Sequence, residues 1–326
     1  MSIDNYWYSK NPLAYLLLPL SWLFRGVSGF RKWLYHNGLL SAQGLPVPVV
    51  VVGNINVGGT GKTPLVIVLA EILKEHGYRP GIITRGYGGE VKESPVKVSE
   101  DSDAYQVSDE AVLLAKRSGS PVVACQDRIA SSKLLLEQNC NIILSDDGLQ
   151  HYRLQRDIEI AVIDSARGLG NGFSLPAGPL REPAKRLASV DFIITNGASH
   201  KQYSTRDYVM HLQTKGIMSL SDDLELSIDK LKGMTVHAVA AIGNPARFFN
   251  LLRDLGLSVI EHPFPDHYRY QSKDIEFDDG KPVIMTEKDA VKCRKLIDQD
   301  KYFYLPVAAE IDKDFTKAFL EKLKRL

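Results

Sequence analysis

The sequence has few cysteines and little net charge, and both facts exclude classes of protein. It contains three cysteines among 326 residues, Cys125, Cys140 and Cys293, and none forms a Cys-x-x-Cys pair. Their odd number and wide spacing exclude a disulfide framework or a cysteine-based zinc site and favour reduced, partly buried thiols of a cytosolic protein. The net charge of +1 gives no general basis for binding nucleic acid, so no such partner is expected.

Long hydrophobic runs are also lacking. The apolar stretch at residues 13–24 is interrupted by Ser21, and it is shorter than the roughly 20 residues that a membrane-spanning helix needs. Asp4 precedes it and no small-residue cleavage site follows it directly, so a cleavable secretory signal is not expected. Pro19 is expected to kink the segment or to begin its second half.

The same N-terminal region has an amphipathic pattern. Leucine, phenylalanine and tryptophan surround a stripe of polar residues spaced alternately by four and three, which is typical of a helix lying in a membrane interface. Nearby basic residues would favour an anionic surface. The alternative is a helix packed on the protein's own core. The polar stripe comprises Ser21, Arg25, Ser28, Lys32 and Tyr35, and the basic residues are Lys10, Arg25, Arg31 and Lys32.

The segment with the most chemical information is a glycine-rich loop. A β-branched apolar run at residues 48–52 leads into the loop, and a helical pattern begins at Lys62 and Thr63. Glycines allow backbone N–H groups to surround phosphate oxygens, and the helix N-terminus adds a positive dipole end. Lys62 is expected to reach the β- and γ-phosphates and Thr63 to coordinate Mg²⁺. The predicted nucleotide-binding residues are Asn56, Val57, Gly58, Gly59, Thr60, Gly61, Lys62 and Thr63.

The chain alternates short apolar runs with helical patterns. Strands are expected at 47–52, 81–84, 121–124, 141–144, 159–163 and 191–195. This alternation predicts an α/β fold, a P-loop NTPase-like doubly wound parallel sheet whose ligands lie at the carboxyl ends of the strands. Runs at 208–212 and 217–220 predict a β-hairpin linker, and a second, smaller α/β unit follows. The predicted domains are 1–36 (membrane-interface segment), 37–205 (ATP-binding domain), 206–222 (hairpin linker) and 223–326 (smaller C-terminal domain).

Two acidic pairs follow expected elements of the first unit. Asp146 and Asp147 come directly after the strand at 141–144, where a P-loop enzyme holds Mg²⁺. Asp109 and Glu110 begin a helical stretch after Ser108. Acidic residues in a first helical turn are ordinary helix chemistry, but a carboxylate placed to accept a hydroxyl proton would look the same, and spacing does not separate the two readings.

Arginines and a histidine in predicted loops complete the set of candidates. Arg85, Arg128 and Arg181 each carry a guanidinium group suited to phosphate, although solvent-exposed arginines are common. His267 follows Asp266 and has a pKa range suited to proton transfer, although most such histidines are simply exposed.

Two other P-loop classes fit less well. The dimeric ATPases with a deviant loop carry an extra lysine where this chain has Val57. A GTPase would need a base-reading Asn/Thr-Lys-x-Asp motif, and residues 286–289, Thr-Glu-Lys-Asp, have these letters in another order. ATP is therefore preferred over GTP as the nucleotide.

These motifs occur together in the order found in one family. The chain resembles the tetraacyldisaccharide 4′-kinases of lipid A biosynthesis over nearly its whole length. The asparagine at the first loop position also fits that family, whereas Tyr268 stands where many members have a second histidine. The segments that carry the resemblance are 53–64, 84–88, 109–110, 146–151, 178–183, 243–245, 264–267 and 285–292.

The resemblance implies transfer of the ATP γ-phosphoryl group to the 4′-hydroxyl of an acylated glucosamine disaccharide 1-phosphate. It implies a peripheral protein at the anionic cytoplasmic face of a Gram-negative inner membrane, with no obligatory protein partner. Asp109, tuned by His267, becomes the candidate base, with His267 and Asp147 left as alternatives. The rival function is a P-loop regulatory ATPase or GTPase, or a metallochaperone. The implied roles are Lys62, Asp109, Asp147 and His267 for catalysis, Thr63, Asp146 and Asp147 for Mg²⁺, and Arg85, Tyr87, Glu110, Arg128, Gln150, His151 and Arg181 for substrate.

Overall fold

The computed structural model describes residues 6–9, 11–91, 94–198, 202–214, 216–297 and 300–326. Lys10 of the basic N-terminal set and Lys215 in the turn of the predicted hairpin lie outside them. The α-helices are α1 (Pro12–Leu16), α2 (Leu18–His36), α3 (Lys62–Glu75), α4 (Ala104–Val107), α5 (Asp109–Ser118), α6 (Arg128–Leu136), α7 (Pro245–Asp254), α8 (Ser272–Ile275), α9 (Glu287–Cys293) and α10 (Lys313–Leu323). The strands are β1 (Val49–Gly53), β2 (Pro80–Thr84), β3 (Val96–Val98), β4 (Val122–Ala124), β5 (Ile142–Ser145), β6 (Ile158–Asp164), β7 (Phe192–Asn196), β8 (Asp207–Gln213), β9 (Ile217–Ser219), β10 (Glu225–Leu226), β11 (Thr235–Ala240), β12 (Ser258–Pro263), β13 (Val283–Thr286), β14 (Tyr302–Leu305) and β15 (Ala308–Ile311).

The larger lobe is built on a nine-stranded sheet in the order β15-β8-β7-β6-β1-β5-β2-β4-β3. Its inner strands are parallel, and the edge strands β15 and β3 are antiparallel to their neighbours. Strand β1 is buried along its whole length, which explains its continuous valine run, since helices cover both faces of a parallel sheet. The predicted doubly wound α/β fold is confirmed, and each of the six strands expected in this lobe is present.

The smaller lobe has a six-stranded sheet in the order β10-β9-β14-β13-β11-β12. Strands β11 to β14 run parallel, and β9 and β10 form an antiparallel edge. The carboxyl ends of β11 and β13 lead into segments that line the same cleft as the glycine-rich loop.

The predicted β-hairpin is wrong, although the segment does connect the two lobes. Strand β8 pairs with β7 and β15 in the larger sheet, whereas β9 pairs with β14 and β10 in the smaller one. Each strand buries its apolar side chains in a different core, Met210 in the larger lobe and Ile217 in the smaller. The segment between them therefore carries the chain from one lobe to the other.

The C-terminus returns to the larger lobe, so the predicted boundary of a C-terminal domain at 223–326 needs correction. Strand β15 pairs with β8, and α10 buries Phe315 and Phe319 in the core of the larger lobe, edge-on to Phe192. Burial of these two aromatic side chains stabilises the packing of α10 on the larger lobe, although α10 follows the smaller lobe in the sequence. The smaller lobe is thus an insertion between β8 and β15.

The N-terminal segment forms a short helix, α1, and a long helix, α2, whose large apolar side chains are mostly exposed. Pro19 lies in the first turn of α2, as expected for the start of the second half. Ser21 faces inward, donating to the Ser174 carbonyl at 2.7 Å and accepting from the Ala177 N–H at 3.0 Å. No helix in the described part of the chain is long and apolar enough to cross a membrane. The exposed apolar side chains are Leu13, Tyr15, Leu16, Leu20, Trp22, Leu23, Val27, Phe30 and Trp33.

The three cysteines are buried and none is in a disulfide within the described residues, in agreement with the sequence-based expectation of buried thiols.

Candidate active site

The glycine-rich loop connects β1 to α3 and is held at both ends. Gly61 has φ +94°, and a Cβ there would lie 2.6 Å from Asn196 Nδ2, so only glycine fits. Asn196 donates to the Thr60 carbonyl at 3.0 Å, and Asn54 donates to the Gly58 carbonyl at 3.3 Å. These bonds fix the loop in a conformation that opens towards the cleft.

The first two predicted loop residues anchor the loop. Asn56 is buried, and its side-chain amide donates to the Gly168 carbonyl at 3.2 Å. The Val57 N–H donates to the Pro179 carbonyl at 2.8 Å. Asparagine, unlike glycine, supplies this side-chain bond, which explains its presence at the first loop position. The cleft is lined by Val57 and residues 58–63, but not by Asn56.

Lys62 lies within a compact charged cluster at the start of α3. Its Nζ is 3.4 Å from Asp147 Oδ1, and Arg181 Nη1 is 2.9 Å from Asp147 Oδ2. Burial favours a higher pKa for Asp147, but Lys62 and Arg181 outweigh it and hold the pKa well below its usual range. An ionised carboxylate paired in this way is a poor proton acceptor, which argues against Asp147 as the base.

Arg128 is buried beneath that cluster. Its guanidinium donates to Ser145 Oγ and, at 2.9 Å, to the Asp147 carbonyl. Burial lowers the pKa of Arg128 to about 10, so the group stays charged near neutrality. These bonds suit Arg128 to hold the strand end that carries Asp146 and Asp147, rather than to contact substrate as the sequence predicted.

Thr63 and Asp146 provide oxygen ligands next to the loop. Asp146 is buried, and its Oδ1 has no hydrogen-bond partner among the described residues. Burial raises the pKa of Asp146, and the nearby charge of Glu110 adds to the effect. Oxygens are the ligands that Mg²⁺ prefers, and P-loop sites complete its shell with phosphate and water. The unpartnered, buried carboxylate oxygen fits such a cation.

A second catalytic candidate is the pair formed by Asp109 and His267, of which His267 lines the same cleft as the loop. His267 Nδ1 is 3.3 Å from Asp109 Oδ1, and the Glu110 N–H donates to that same oxygen at 2.8 Å. Ser108 and His267 have φ of +87° and +58°, in the region that favours glycine. The hydrogen bond to Asp109 raises the pKa of His267. Asp109 is 3% exposed, so the histidine ring is the more accessible member of the pair.

Lysines of α9 surround Asp109 from the smaller lobe. Lys292 Nζ is 3.4 Å from Asp109 Oδ2, and Lys288 pairs with Glu110. Burial opposes ionisation of Asp109, but the bond from His267 and the charges of Lys288 and Lys292 keep its pKa well below its usual range. Neither lysine was predicted as a site residue from the sequence. The segment 285–292 that contains them entered only as part of the family resemblance and, at 286–289, as a mismatch to the base-reading motif of GTPases.

The other predicted substrate residues line one cleft of about 2100 Å³. Gln150 donates to the Asn54 carbonyl at 3.0 Å and to Glu182 at 2.9 Å. Tyr87 is exposed and lies edge-on to His267, with 5.3 Å between ring centroids. Burial lowers the pKa of His151 to about 4, so it is neutral near pH 7. The cleft also contains Arg85, Glu110, Arg128, His151 and Arg181, and along α2 it is lined by Arg25, Ser28, Arg31 and Lys32.

The fold and site together define a P-loop phosphotransferase, because a glycine-rich loop between a strand and a helix lines the same cleft as the histidine of an aspartate–histidine pair. A model of the family described as tetraacyldisaccharide-1-P 4′-kinase matches residues 13–324. The chain belongs to this family.

Curated relatives and a solved structure agree with this assignment. The chain is 49% identical over 324 residues to a tetraacyldisaccharide 4′-kinase of Nitrosococcus oceani, covering 99% of this chain and 94% of the relative. It is 46% identical over 329 residues to the enzyme of the same name from Coxiella burnetii, covering 100% and 96%. The crystal structure of LpxK from Aquifex aeolicus in complex with ATP is similar, with a TM-score of 0.80 and 30% identity, covering 95% of this chain and 99% of that one.

Proposed function

We propose that this protein transfers the γ-phosphoryl group of ATP to the 4′-hydroxyl of a tetraacylated disaccharide 1-phosphate, the precursor of lipid A. Membership of the 4′-kinase family supports this function, and so does the solved ATP complex of a 30% identical relative. The observation that carries it most directly is that the glycine-rich loop and His267, the contact partner of Asp109, line one and the same cleft.

The loop and its neighbours bind and neutralise the triphosphate. Backbone N–H groups of residues 58–63 surround the β- and γ-phosphates, and Lys62 and Arg181 supply positive charge. Phosphoryl transfer depends on positioning and charge neutralisation more than on covalent help. When ATP binds, its phosphates compete with Asp147 for both cations.

The side-chain oxygens beside the loop support Mg²⁺ binding as part of this proposal. Thr63 Oγ1 and the buried carboxylate of Asp146, with Asp147 beside it, would hold Mg²⁺, which would supply positive charge to the phosphate oxygens. Arg128 holds this strand end in place from below.

The Asp109–His267 pair takes the proton of the attacking 4′-hydroxyl. Asp109 is almost completely buried and strongly ionised, so it orients the ring and stabilises its charged form, while His267 faces the cleft. This arrangement assigns the acceptor role to His267, whereas the family resemblance made Asp109 the candidate base, with His267 and Asp147 as alternatives. Tyr87, Arg85 and Gln150 line the same cleft, which supports assigning them to the sugar.

A lipid substrate requires the protein to act at a membrane surface. The exposed apolar side chains of α2 suit this helix to bind there. Most of its large apolar side chains are exposed, and its polar residues Arg25, Ser28, Arg31 and Lys32 line the cleft together with Phe24, Val27 and Trp33. The helix is thus proposed to lie in the interface of an anionic inner-membrane leaflet, on the cytoplasmic side, where ATP is available.

Incubation of the protein with γ-labelled ATP, Mg²⁺ and the acylated disaccharide 1-phosphate in mixed micelles tests the function. We expect label in the lipid fraction, and we expect Lys62→Met to abolish it because the triphosphate loses its main cation. Label released only as inorganic phosphate, with none in lipid, would instead support the rival regulatory ATPase.

A further inference from the structure

A buried lysine of the smaller lobe lies directly behind the Asp109–His267 pair. Lys292 belongs to α9, and its side chain is 2% exposed. Its Nζ is 3.4 Å from Asp109 Oδ2 and 2.9 Å from Asp289 Oδ1, and it lies 5.2 Å from the centroid of the Tyr270 ring. The lysine therefore bridges two buried carboxylates, one from each lobe.

The partner carboxylate is itself fixed by the smaller sheet. Asp289 is completely buried. Its Oδ2 accepts from Thr286 Oγ1 at 2.5 Å and from the Ala241 N–H at 3.0 Å. Since Thr286 ends β13 and Ala241 directly follows β11, the position of Lys292 is set by the ends of two central strands.

Burying these charges needs an explanation. An ion pair inside a protein gives little net stability compared with apolar side chains of similar volume. This pair is placed against the group that orients His267, at the point where α5 of one lobe meets α9 of the other. A role in the chemistry accounts for both its burial and its position.

Four charged groups face Asp109 in the described structure. His267 approaches from the loop after β12, Lys288 and Lys292 from α9, and Glu110 follows it on α5. Lys288 is engaged by Glu110, and His267 contacts Oδ1. Lys292 is thus the cation that pairs with the second carboxylate oxygen.

We propose that Lys292 is a positioning residue for phosphoryl transfer, holding Asp109 from the smaller lobe so that Asp109 in turn orients His267. The proposal rests on the function assigned to this pair above. It makes the proton acceptor competent only when both lobes are seated against each other, because the holding group and the held group belong to different lobes. Small errors in such orientation are expensive, with about 1 Å of misplacement lowering rates by up to about 10²-fold.

The test compares Lys292→Met, the double variant Lys292→Met/Asp289→Asn, and Lys116→Met as a matched control. Lys116 is on α5, the helix that begins at Asp109, and like Lys292 it pairs across the lobes, at 2.9 Å from Asp223. Lys292→Met leaves Asp289 uncompensated and is expected to lower the melting temperature. The double variant removes both charges of the pair and restores the melting temperature.

We expect both Lys292 variants to lower kcat by about 10²-fold with KM for ATP nearly unchanged, whereas Lys116→Met keeps wild-type kcat. In Lys292→Met the acidic limb of the kcat–pH profile moves to higher pH, because the charged cluster that contacts Asp109 loses a positive charge, which favours the charged form of His267. In the double variant the limb returns towards its original position while kcat stays low.

A double variant with wild-type kcat would overturn the proposal, because Lys292 would then serve only to neutralise the buried charge of Asp289. A double variant that fails to fold would overturn it as well, since it would show that the pair is needed for folding. If wild-type protein and Lys116→Met also transfer no phosphate to lipid, the proposed function is at fault and not the role of Lys292.

Discussion

At the scale of single residues, the contact between Asp109 and His267 sets the pH dependence of the reaction. Asp109 raises the pKa of His267 above its ordinary value of 6.5. A histidine that accepts a proton must be neutral, so kcat is expected to rise with pH through this raised pKa. Asp109→Asn removes the negative charge, so it should move this limb to lower pH and lower the plateau.

The sign of that profile separates the two candidate bases. If Asp109 itself accepts the proton with a charged His267 beside it, kcat must fall as pH rises through the pKa of the histidine. Rates measured from pH 5 to pH 9 with saturating ATP distinguish these outcomes.

Gly88 controls the approach of His267 to the loop after β2. It has φ +86°, and a Cβ there would lie 2.7 Å from His267 Nδ1. We expect Gly88→Ala to displace the imidazole and to lower kcat at least about 10-fold. Gly233→Ala is the control, because Gly233 has φ +80° with open space around its Cβ position and thus introduces similar backbone strain without a clash. Equal effects of the two substitutions on kcat would contradict the role given to Gly88.

At the scale of secondary-structure elements, α2 is the feature that departs most from ordinary packing. Leu23 and Phe30 are 66% and 61% exposed, and burying one such side chain in lipid is worth about 1.5–3 kcal/mol. The double variant Leu23→Asp/Phe30→Asp should therefore weaken binding to anionic vesicles by at least about 10²-fold while leaving the melting temperature unchanged.

Leu224→Asp offers a matched control, since Leu224 is also 66% exposed but lies in the smaller lobe. Its vesicle binding should equal that of the wild type in a flotation assay. Equal loss of binding in both variants, or none in either, would refute the interfacial role of α2.

Local elements could be predicted from the sequence because their signals are local. The strand, loop and helix start that end at Lys62 and Thr63 lie within one short stretch, and backbone chemistry dictates their form. The amphipathic spacing of α2 could also be recognised from the sequence. The face of α2 that packs on the protein, however, is set by distant partners such as Ser174, 153 residues from Ser21.

At the scale of the whole molecule, the return of the C-terminus to the larger lobe shows what local patterns leave open. Strand β8 can satisfy its backbone by pairing either with β9 or with more distant strands, and only the assembled sheet decides. The same holds for the site, since Asp109, His267 and Lys292 come from three separate segments. Family resemblance suggested roles for Asp109 and His267, but no local pattern indicated a role for Lys292.

This topology makes a prediction about stability. Phe319 is completely buried, and Phe319→Ala should destabilise the protein by about 3–5 kcal/mol. Because α10 packs on the larger sheet, amide hydrogen exchange should accelerate in β6 to β8 more than in β11 to β14. Leu326→Ala, at an exposed position, serves as the control. Faster exchange confined to the smaller sheet would show that the terminus belongs there.

The central claim is that phosphate is transferred to the 4′-hydroxyl of the acylated disaccharide 1-phosphate. Two-dimensional ¹H–³¹P NMR of the purified lipid product measures this directly. The account predicts a new phosphomonoester whose phosphorus couples to the sugar proton at position 4′, with the original 1-phosphate unchanged. A new phosphorus signal coupled to any other proton, or a lipid recovered without a second phosphate while ATP is consumed, would contradict it.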